Sequence, residues 1–379
     1  MIRPQYFYEK LTQSGVRFFT GVPDSLLKDL CAYITDNTLN NNHIIAVNEG
    51  AAVALAAGFH LSTGKIPLVY MQNSGLGNAA NPLLSLADSD VYSIPMLLLI
   101  GWRGEPGVHD EPQHIKQGKV TCSMLEAMGI QFLILSDNED EVCKQLEDCL
   151  SIIKDNNVPF ALIAKKNTFS AYVPSCGNDS ENLEMSREDA IDAIISNSSP
   201  NDVFVSTTGM ASRELYELRE KYGMSHENDF LTVGSMGHAS SLAHSISLNR
   251  PEIRVTCIDG DGAMLMHLGS IASIGTLKPP NLRHIVLNNG AHDSVGGQPT
   301  IARKIDLCGI ARCCGYAAFS VKTQKDLNLA LEEKNSPLFI EVIVRKGNRK
   351  NLGRPSTSPS DNKKSFMSFL NNANRGKNE

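Results

Sequence analysis

An apolar run ends in an acidic, glycine-rich turn at Cys257–Ala263, which reads CIDGDGA. A second apolar run, at residues 284–287, ends in Asn288 and Asn289, and Asn288 follows Asp261 by 27 residues. Continuous apolar runs predict strands of a parallel sheet whose two faces are both covered. The carboxyl ends of such strands meet at one edge, where open α/β folds bind ligands. We therefore expect both polar groups at that edge.

The residue types in this turn are those that a diphosphate and a metal ion require. Gly260 and Gly262 would let the backbone turn tightly and come close to a ligand. A helix beginning near Ala263 would direct free N–H groups towards an anion such as a diphosphate. Asp261 and an Asn side chain offer oxygen ligands that suit Mg²⁺. A glycine-aspartate-glycine turn alone is more often an ordinary turn, but its pairing with two asparagines favours a cofactor site.

Strand-like and helical patterns alternate along the whole chain. This alternation predicts an α/β fold of two doubly wound parallel-sheet domains. Residues 170–185 contain Pro, Gly, Ser and Asn without a periodic apolar pattern and are interpreted as a linker, and Ser186, three residues before Asp189, predicts the start of the next helix. The predicted domains are 1–169 and 186–345, followed by a basic and then Ser/Pro/Asn-rich tail, 346–379, that we expect to lack a core of its own. The predicted strands are residues 16–20, 43–47, 66–71, 94–101, 131–135 and 160–165 in the first domain and 202–206, 229–233, 254–258, 284–287, 317–321 and 338–344 in the second.

The composition is that of a globular protein. Of 379 residues, 42% are hydrophobic and 20% charged, which excludes wholesale disorder, and the net charge of −6 disfavours bulk nucleic-acid binding. The nine cysteines form no CxxC pair, so free thiols in a reducing compartment fit better than a zinc ribbon or disulfides. The longest apolar stretch, near Ile94–Trp102, is about half of what spans a bilayer, and the N-terminus lacks a signal-peptide core. We expect a soluble, cytoplasmic protein that binds neither nucleic acid nor membranes.

The spacing of the GDG sequence and the Asn-Asn pair resembles the cofactor signature of thiamine-diphosphate-dependent enzymes. This resemblance implies thiamine diphosphate and Mg²⁺ as cofactors, with Asp261, Asn289 and the carbonyl of Ala291 as metal ligands. It also implies a pyrimidine-binding domain at residues 1–169 and a diphosphate-binding domain at residues 186–345, without the middle domain of many family members. The active sites would lie at the interface between subunits of a homodimer or larger homo-oligomer.

The resemblance extends to other predicted strand ends of the second domain. Met236, within the sequence GSMG, matches a bulky apolar residue that holds the two cofactor rings in a bent conformation, although a Met alone is more often ordinary core. The carbonyl of Gly234 would accept a hydrogen bond from the cofactor amino group. Thr207 and Thr208 match the position that contacts the diphosphate. The implied cofactor-binding residues of this domain are Thr207, Thr208, Gly234, Met236, Gly260, Asp261, Gly262, Ala263 and Asn289.

In this family the first domain supplies a glutamate that contacts the aminopyrimidine ring of the cofactor, and Glu49 fits that position. On the residues alone, an acidic residue at the start of the helical pattern would simply be stabilised by the helix dipole. The resemblance implies instead that Glu49 binds the cofactor and activates it by proton exchange. The glycine-rich turn at residues 73–78 would let the backbone approach the same site. The intact Glu49, Asp261 and Asn289 argue against a non-catalytic, regulatory relative.

Four motifs are most similar to those of phosphonopyruvate decarboxylases, a branch of this family. They are residues 21–25, 102–114, 288–300 and 349–355, so the resemblance covers nearly the whole chain. It implies decarboxylation of 3-phosphonopyruvate to phosphonoacetaldehyde and CO₂ in the biosynthesis of phosphonates such as 2-aminoethylphosphonate. Sulfopyruvate decarboxylases share several motifs, so sulfopyruvate or another 2-oxo acid is the alternative substrate. A nucleotide-dependent oxidoreductase is a rival of another class, but the first predicted strand–helix turn lacks GxGxxG.

The loop at residues 102–114 carries three acids, two His and one Arg, and its place after a predicted strand favours an active-site loop over an ordinary solvated one. Where the wider family has a His-His pair, this chain has Gln-His ending in His114. Where that family has a Glu after the Asn-Asn pair, this chain has His292. One of these two histidines is therefore the candidate proton donor, and Ser25 lies where relatives place a polar residue near the reacting carbon. The candidate substrate-binding residues are Asp24, Ser25, Arg103, His109, Lys350 and Arg354.

Five cations lie within ten residues after the last predicted strand, from Arg345 to Arg354. A solvated charge run is the more common interpretation. The alternative is that Arg349, Lys350 and Arg354 fold towards an anionic substrate and raise its local concentration.

Overall fold

A computed structural model of the chain describes residues 1–174 and 183–372. The chain divides into two compact units, the first comprising Met1–Asp179 and His292–Gln298 and the second Ser180–Ala291 and Pro299–Glu379. Each unit is built around a six-stranded sheet with parallel strand pairs. In the described ranges, no helix has the length and apolar character needed to cross a membrane.

Helices and strands of the first unit alternate along the chain, as predicted. They are α1 (Pro4–Gln13), β1 (Phe19–Gly21), α2 (Lys28–Asn37), β2 (His43–Ile45), α3 (Glu49–Thr63), β3 (Leu68–Gln72), α4 (Leu76–Pro82), β4 (Leu97–Gly101), α5 (Pro112–Ala127), β5 (Gln131–Ile134), α6 (Glu139–Asn156) and β6 (Phe160–Ala164). The strands are ordered β2-β1-β3-β4-β6-β5. Strand β4 begins at Leu97 rather than at the predicted residue 94, since Pro95 has no N–H to donate to a ladder.

Both faces of this sheet are buried, which explains why its strands read as continuous apolar runs. On one face Tyr70 and Leu99 lie in a core shared with side chains of α1, α2 and α6. On the other face Met71 and Ile100 pack with side chains of α3 and α5. Burial of each large apolar side chain contributes about 1.5–3 kcal/mol, so a strand with an apolar residue at every position is stabilised on both sides.

The second unit repeats the same alternation. Its elements are α7 (Arg187–Ser196), β7 (Val203–Ser206), α8 (Met210–Lys221), β8 (Asp229–Leu231), α9 (Ala239–Asn249), β9 (Val255–Gly260), α10 (Asp261–Met266), α11 (Ser270–Leu277), β10 (Leu282–Asn288), α12 (Leu307–Cys313), β11 (Ala317–Val321), α13 (Gln324–Leu331), β12 (Leu338–Ile343) and α14 (Pro359–Asn372). The strands are ordered β11-β12-β10-β9-β7-β8. Strands β9 and β10 are parallel neighbours with Gly260 opposite Leu287, so the GDG turn and the Asn-Asn pair lie at one carboxyl edge. The predicted fold class and this shared edge are confirmed.

Within the predicted tail, Pro359–Asn372 form α14, which packs on the second unit and has no separate core of its own. Phe366 is buried 5.5 Å from the ring of Phe230. The Asn362 side chain donates to the Asp229 carbonyl at 2.7 Å and accepts from the Leu231 N–H at 3.2 Å. These are backbone groups of β8, an edge strand, and α14 satisfies hydrogen-bonding groups that no neighbouring strand reaches.

The predicted linker at 170–185 lies partly outside the described residues, since 175–182 are not described. At its start, Ser170 donates to the Ile2 carbonyl at 2.9 Å within the first unit. The capping box predicted from Ser186 and Asp189 is present at the start of α7. The domain boundaries themselves stay a prediction.

Candidate active site

Glu49 lies at the start of α3, where the preceding Asn48 caps the helix by accepting a hydrogen bond from the Ala51 N–H at 2.8 Å. The Glu49 residue is only 5% exposed. Its Oε2 accepts a hydrogen bond from Asn78 Nδ2 at 2.7 Å. A buried carboxylate is costly unless it is hydrogen-bonded, so Asn78 both holds this side chain and offsets part of that cost.

The glycine-rich turn that follows β3 brings Gly75 against the Glu49 carboxylate. A Cβ atom on Gly75 would stand 2.4 Å from Glu49 Oε1, which leaves room for no side chain at that position. Asn73, two residues earlier, donates to the Arg103 carbonyl at 2.8 Å and accepts from the Arg103 N–H at 3.1 Å. The turn predicted to approach the site therefore links the segment of Glu49 to the segment of Arg103.

Arg103 is the centre of a polar network at the carboxyl ends of β1, β3 and β4. Its Nε and Nη2 donate to the two oxygens of Asp110 at 2.8 and 2.5 Å, and its Nη1 donates to Ser25 Oγ at 2.8 Å. Gln72 Nε2 donates to Asp24 Oδ1 at 2.7 Å. The structure thus brings together three predicted substrate residues, Asp24, Ser25 and Arg103. Sequence reasoning missed Gln72, which belongs to no recognised motif, and did not single out Asp110 among the three acids of the loop at residues 102–114.

The pKa values of the two carboxyl groups in this network, Asp24 and Asp110, are shifted in opposite directions. Burial raises the pKa of Asp24, and its hydrogen bonds with Gln72 and with backbone N–H groups offset this only in part. Burial also acts to raise the pKa of Asp110, but the hydrogen bonds from Arg103 and from backbone N–H groups outweigh it and hold that pKa well below its usual range. Asp110 therefore stays ionised and orients the Arg103 guanidinium.

The loop that carries Arg103 is held tightly against α5. Trp102 Nε1 donates to the Gly118 carbonyl at 2.9 Å, and a Cβ on Gly118 would stand 1.7 Å from the Gly104 carbonyl oxygen. His114, in the first turn of α5, is buried, and burial, assisted by the charge of Arg103, lowers its pKa to about 4. His109 is exposed on the same loop and lies apart from the buried network.

In the second unit, the predicted metal ligands follow two adjacent strands. Asp261, Asn289 and Ala291 are all buried. Asp261 Oδ2 accepts a hydrogen bond from Thr300 Oγ1 at 2.5 Å, and Asn289 Oδ1 accepts from the Ala291 N–H at 3.0 Å. A buried carboxylate with an amide oxygen and a carbonyl nearby is a donor set of the kind that Mg²⁺ prefers. The residues present therefore fit the implied ion, and sequence reasoning missed Thr300.

The turn after β10 is supported from behind by residues that sequence reasoning also missed. Glu341 Oε1 accepts from Asn288 Nδ2 at 2.7 Å. Arg303 Nη2 donates to the carbonyl of Asn288 at 3.3 Å and to that of Val344 at 2.7 Å. Gly290 has φ 68°, a left-handed conformation that glycine adopts without strain.

The remaining cofactor candidates also lie at strand ends of this edge. Thr208 Oγ1 accepts from the Gly234 N–H at 3.1 Å, and the Thr207 methyl group would lie 4.0 Å from a Cβ on Gly260. Met236 is half-buried rather than part of the apolar core, in a turn whose residue Ser235 has φ 47°. Gly262 and Ala263 are buried in the first turn of α10.

The remaining candidates are His292 and the residues of the basic segment after the last strand. His292 begins the segment His292–Gln298, which belongs to the first unit, and burial lowers its pKa to about 4. In the basic segment, Arg349 pairs with Glu188 and Glu217 of the second unit, and the interpretation that it turns towards a substrate stays a prediction. Lys350 and Arg354 lie in the same segment, and their role stays a prediction.

Comparisons with known proteins identify the family of the chain. Residues 4–127 match the thiamine pyrophosphate enzyme N-terminal TPP binding domain, and residues 207–342 match the C-terminal TPP binding domain. The chain is 32% identical to phosphonopyruvate decarboxylase of Streptomyces viridochromogenes over 95% of this chain and 93% of that protein. It is 32% identical to the Streptomyces hygroscopicus phosphonopyruvate decarboxylase over 95% and 92% of the two chains. Sulfopyruvate decarboxylase of Methanosarcina acetivorans is 29% identical over 96% of both chains. The chain therefore belongs to the thiamine-pyrophosphate-dependent decarboxylases, in the family of the phosphonopyruvate and sulfopyruvate decarboxylases.

Proposed function

We propose that this chain decarboxylates 3-phosphonopyruvate to phosphonoacetaldehyde and CO₂, with thiamine diphosphate and Mg²⁺ as cofactors, in the biosynthesis of phosphonates such as 2-aminoethylphosphonate. The observation that carries the substrate assignment is the Arg103 network beside the Glu49 segment. Asp110 accepts hydrogen bonds from Nε and Nη2 of Arg103, and Nη1 of Arg103 is directed towards Ser25. A second anion at this place would find an oriented donor.

The second unit would hold the metal and the diphosphate. Asp261, Asn289 and the Ala291 carbonyl would bind Mg²⁺, and Thr300 would orient Asp261. Thr207, Thr208 and the backbone of Gly260–Ala263 would contact the diphosphate, with Met236 and Gly234 beside the rings. When bound, the cofactor supplies the electron sink that decarboxylation of a 2-oxo acid needs.

Glu49 would exchange the proton that activates the cofactor. Its Oε2 is engaged by Asn78, so the carboxyl is oriented before any ligand arrives. The Glu49 carboxyl is buried and therefore poorly solvated. A proton shared between this carboxyl and a ring nitrogen of the cofactor would stabilise it in place of water. Burial raises the pKa of Asp24, so protonation of this carboxyl costs less free energy than it would in water.

The phosphonate would be bound by Arg103 and Ser25, with His109, Lys350 and Arg354 as further contacts. His114 or His292 would return a proton to the product. Burial lowers the pKa of each to about 4, so both are neutral near pH 7 without ligand. An anionic substrate beside either ring raises its pKa and so equips it to hold the proton.

Three substrates compared at equal concentration test the substrate assignment. We expect kcat/KM to be highest for phosphonopyruvate, lower for sulfopyruvate and lowest for pyruvate, because only the first two carry a tetrahedral anion. A preference for sulfopyruvate would redirect the assignment to the alternative while leaving the mechanism intact. Removal of Mg²⁺ and thiamine diphosphate by dialysis should abolish activity, and only adding both should restore it. Activity indifferent to both would contradict the proposal as a whole.

We also propose a homodimer or larger homo-oligomer with active sites shared between subunits. The Glu49 and Asp261 residues belong to different units of the chain. Mixing inactive Glu49→Gln with inactive Asp261→Asn protein tests this directly. A shared site would restore activity in mixed dimers, because one of their two sites would combine an intact Glu49 with an intact Asp261. Sites formed within one chain would remain inactive in every mixture.

A further inference from the structure

A polar cavity of about 490 Å³ lies at the amino-terminal edge of the second sheet. Arg283, the second residue of β10, lines this cavity, whereas Asn288 ends the same strand at the edge of the GDG turn. Five residues along a strand correspond to about 16 Å, at roughly 3.3 Å per residue. The cavity is therefore separate from the candidate metal and diphosphate site.

Arg283 is a buried cation with little compensation. The residue is 7% exposed, and its hydrogen bond runs from Nη2 to the Leu331 carbonyl at 2.5 Å. Burial, together with the like charge of Arg254, lowers the pKa of Arg283 to about 10. Within residues 1–174 and 183–372, no carboxylate forms an ion pair with Arg283. A charge taken out of water without an ionic partner is costly, which points to a partner supplied from solution.

The other charged groups around the cavity are the carboxylates of Asp202, Glu332 and Glu333 and the cations of Arg254 and Lys334. Arg254 is half-exposed and pairs with Asp202 at 3.6 Å, and the charge of Asp202 also acts to raise the pKa of Arg283. Glu333 Oε1 accepts hydrogen bonds from the N–H groups of Lys334 and Asn335, at 2.8 and 2.9 Å, so this carboxylate is engaged by its own turn. At the rim, the exposed charges of Glu332 and Lys334 offset each other.

We propose that this cavity is a binding site for a small tetrahedral oxyanion, a phosphate or a phosphonate group, held by Arg283 and Arg254. Two guanidinium groups present enough N–H donors for a dianion with several acceptor oxygens, and charge-assisted bonds of this kind are the stronger ones. The occupant is either free phosphate or the anionic group of a small metabolite. Because the cavity lies at the opposite end of β10 from Asn288, its occupant would not displace the substrate.

Binding of inorganic phosphate and of methylphosphonate to the holoenzyme, saturated with thiamine diphosphate and Mg²⁺, tests the proposal by calorimetry. We expect Arg254→Gln to weaken binding of the oxyanion at this site by about tenfold or more, since a charge-assisted hydrogen bond is lost. The kcat and KM of this variant without added phosphate should equal those of the unaltered protein. Binding of both probes would indicate recognition of the anionic group itself, and a preference for methylphosphonate would indicate a metabolite.

Two further variants complete the test, one as a control outside the cavity and one at Arg283. Arg312→Gln removes an exposed arginine of the same unit that lies outside the cavity, and it should bind phosphate like the unaltered protein. Arg283→Met should abolish binding of the oxyanion at this site. If this variant fails to fold, Arg254→Gln still tests the proposal, because Arg254 is half-exposed. Phosphate binding that is unchanged in Arg254→Gln, or that is lost in Arg103→Lys instead, would overturn the proposal.

Discussion

Gly75 lies so close to the carboxylate of Glu49 that a Cβ atom on Gly75 would stand 2.4 Å from Glu49 Oε1. The backbone of Gly75 itself is unstrained, with φ −71°. Glycine is therefore required here for space rather than for conformation. The smallest possible change at this position would act directly on the candidate catalytic group.

We expect Gly75→Ala to lower kcat at least tenfold, because the added methyl group must displace the Glu49 carboxylate. Gly77→Ala is a matched control two residues further on, where a Cβ would meet nothing within 4 Å. Replacing a helical glycine by alanine stabilises a helix by up to about 1 kcal/mol, so Gly77→Ala should be active and slightly more stable. Steady-state kinetics and thermal unfolding measure both effects. Equal activity of the two variants would contradict the expected crowding.

Glu49→Gln should reduce kcat by about 10²- to 10⁴-fold, the usual contribution of a positioned acid–base group. The amide oxygen of Gln can still accept the hydrogen bond from Asn78 Nδ2, so we expect the unfolding temperature to change little. Exchange of the cofactor thiazolium proton, followed by NMR, should slow in parallel with turnover. Near-normal turnover would remove Glu49 from its proposed role.

Thr300→Val should raise the Mg²⁺ concentration needed for half-maximal activity by about 10- to 100-fold, the range seen when groups that orient metal ligands are removed. The reason is the hydrogen bond of 2.5 Å from Thr300 Oγ1 to Asp261 Oδ2. Thr300→Ser keeps the hydroxyl and should behave like the unaltered protein. Titration of metal-depleted protein with Mg²⁺ measures the difference, and identical curves for the two variants would refute the role of Thr300.

Arg103→Lys should raise the KM for phosphonopyruvate about tenfold, because hydrogen bonds to charged groups contribute about 1.5–3 kcal/mol. A lysine cannot bind Asp110 through two nitrogens and also donate to Ser25. Arg3→Lys is the matched control, since Arg3 makes a similar two-nitrogen pair with Glu139 at an exposed position. Its KM should be unchanged. The KM for pyruvate, which has no phosphonate, should respond little to either substitution.

The stability of the protein should fall as the pH drops from about 6.5 towards 4, in part through His114. Burial lowers the pKa of His114 from 6.5 to about 4, so between these values the unfolded chain binds a proton that the folded chain does not. The stabilisation is present above pH 6.5 and reduced by up to about 2 kcal/mol at pH 5. In urea unfolding at both pH values, His114→Gln should lose less stability than the unaltered protein. His109→Gln, at an exposed position, should not differ from it.

The motifs that follow strands could be predicted from the sequence because their information is local. An apolar run sets a buried strand, and the polar residues that follow it must lie at the carboxyl edge. This places Glu49, Asp261 and Asn289 without any knowledge of packing. The supporting residues could not be found in this way. Thr300 contacts Asp261 across 39 positions of sequence, and Gln72 contacts Asp24 across 48.

By itself, the sequence determined the α/β class, the polar groups at the strand ends and the family, since hydrophobic periodicity and motif spacing are properties of short segments. Only the tertiary structure decided which neighbours hold those groups, because hydrogen bonds between distant segments depend on how helices pack on the sheet. The tertiary structure also decided the contacts of two residues near the end of the chain. Arg349 pairs with Glu188 and Glu217, and Phe366, in α14, packs beside Phe230. In both cases the partner lies far along the chain and is invisible in the local pattern.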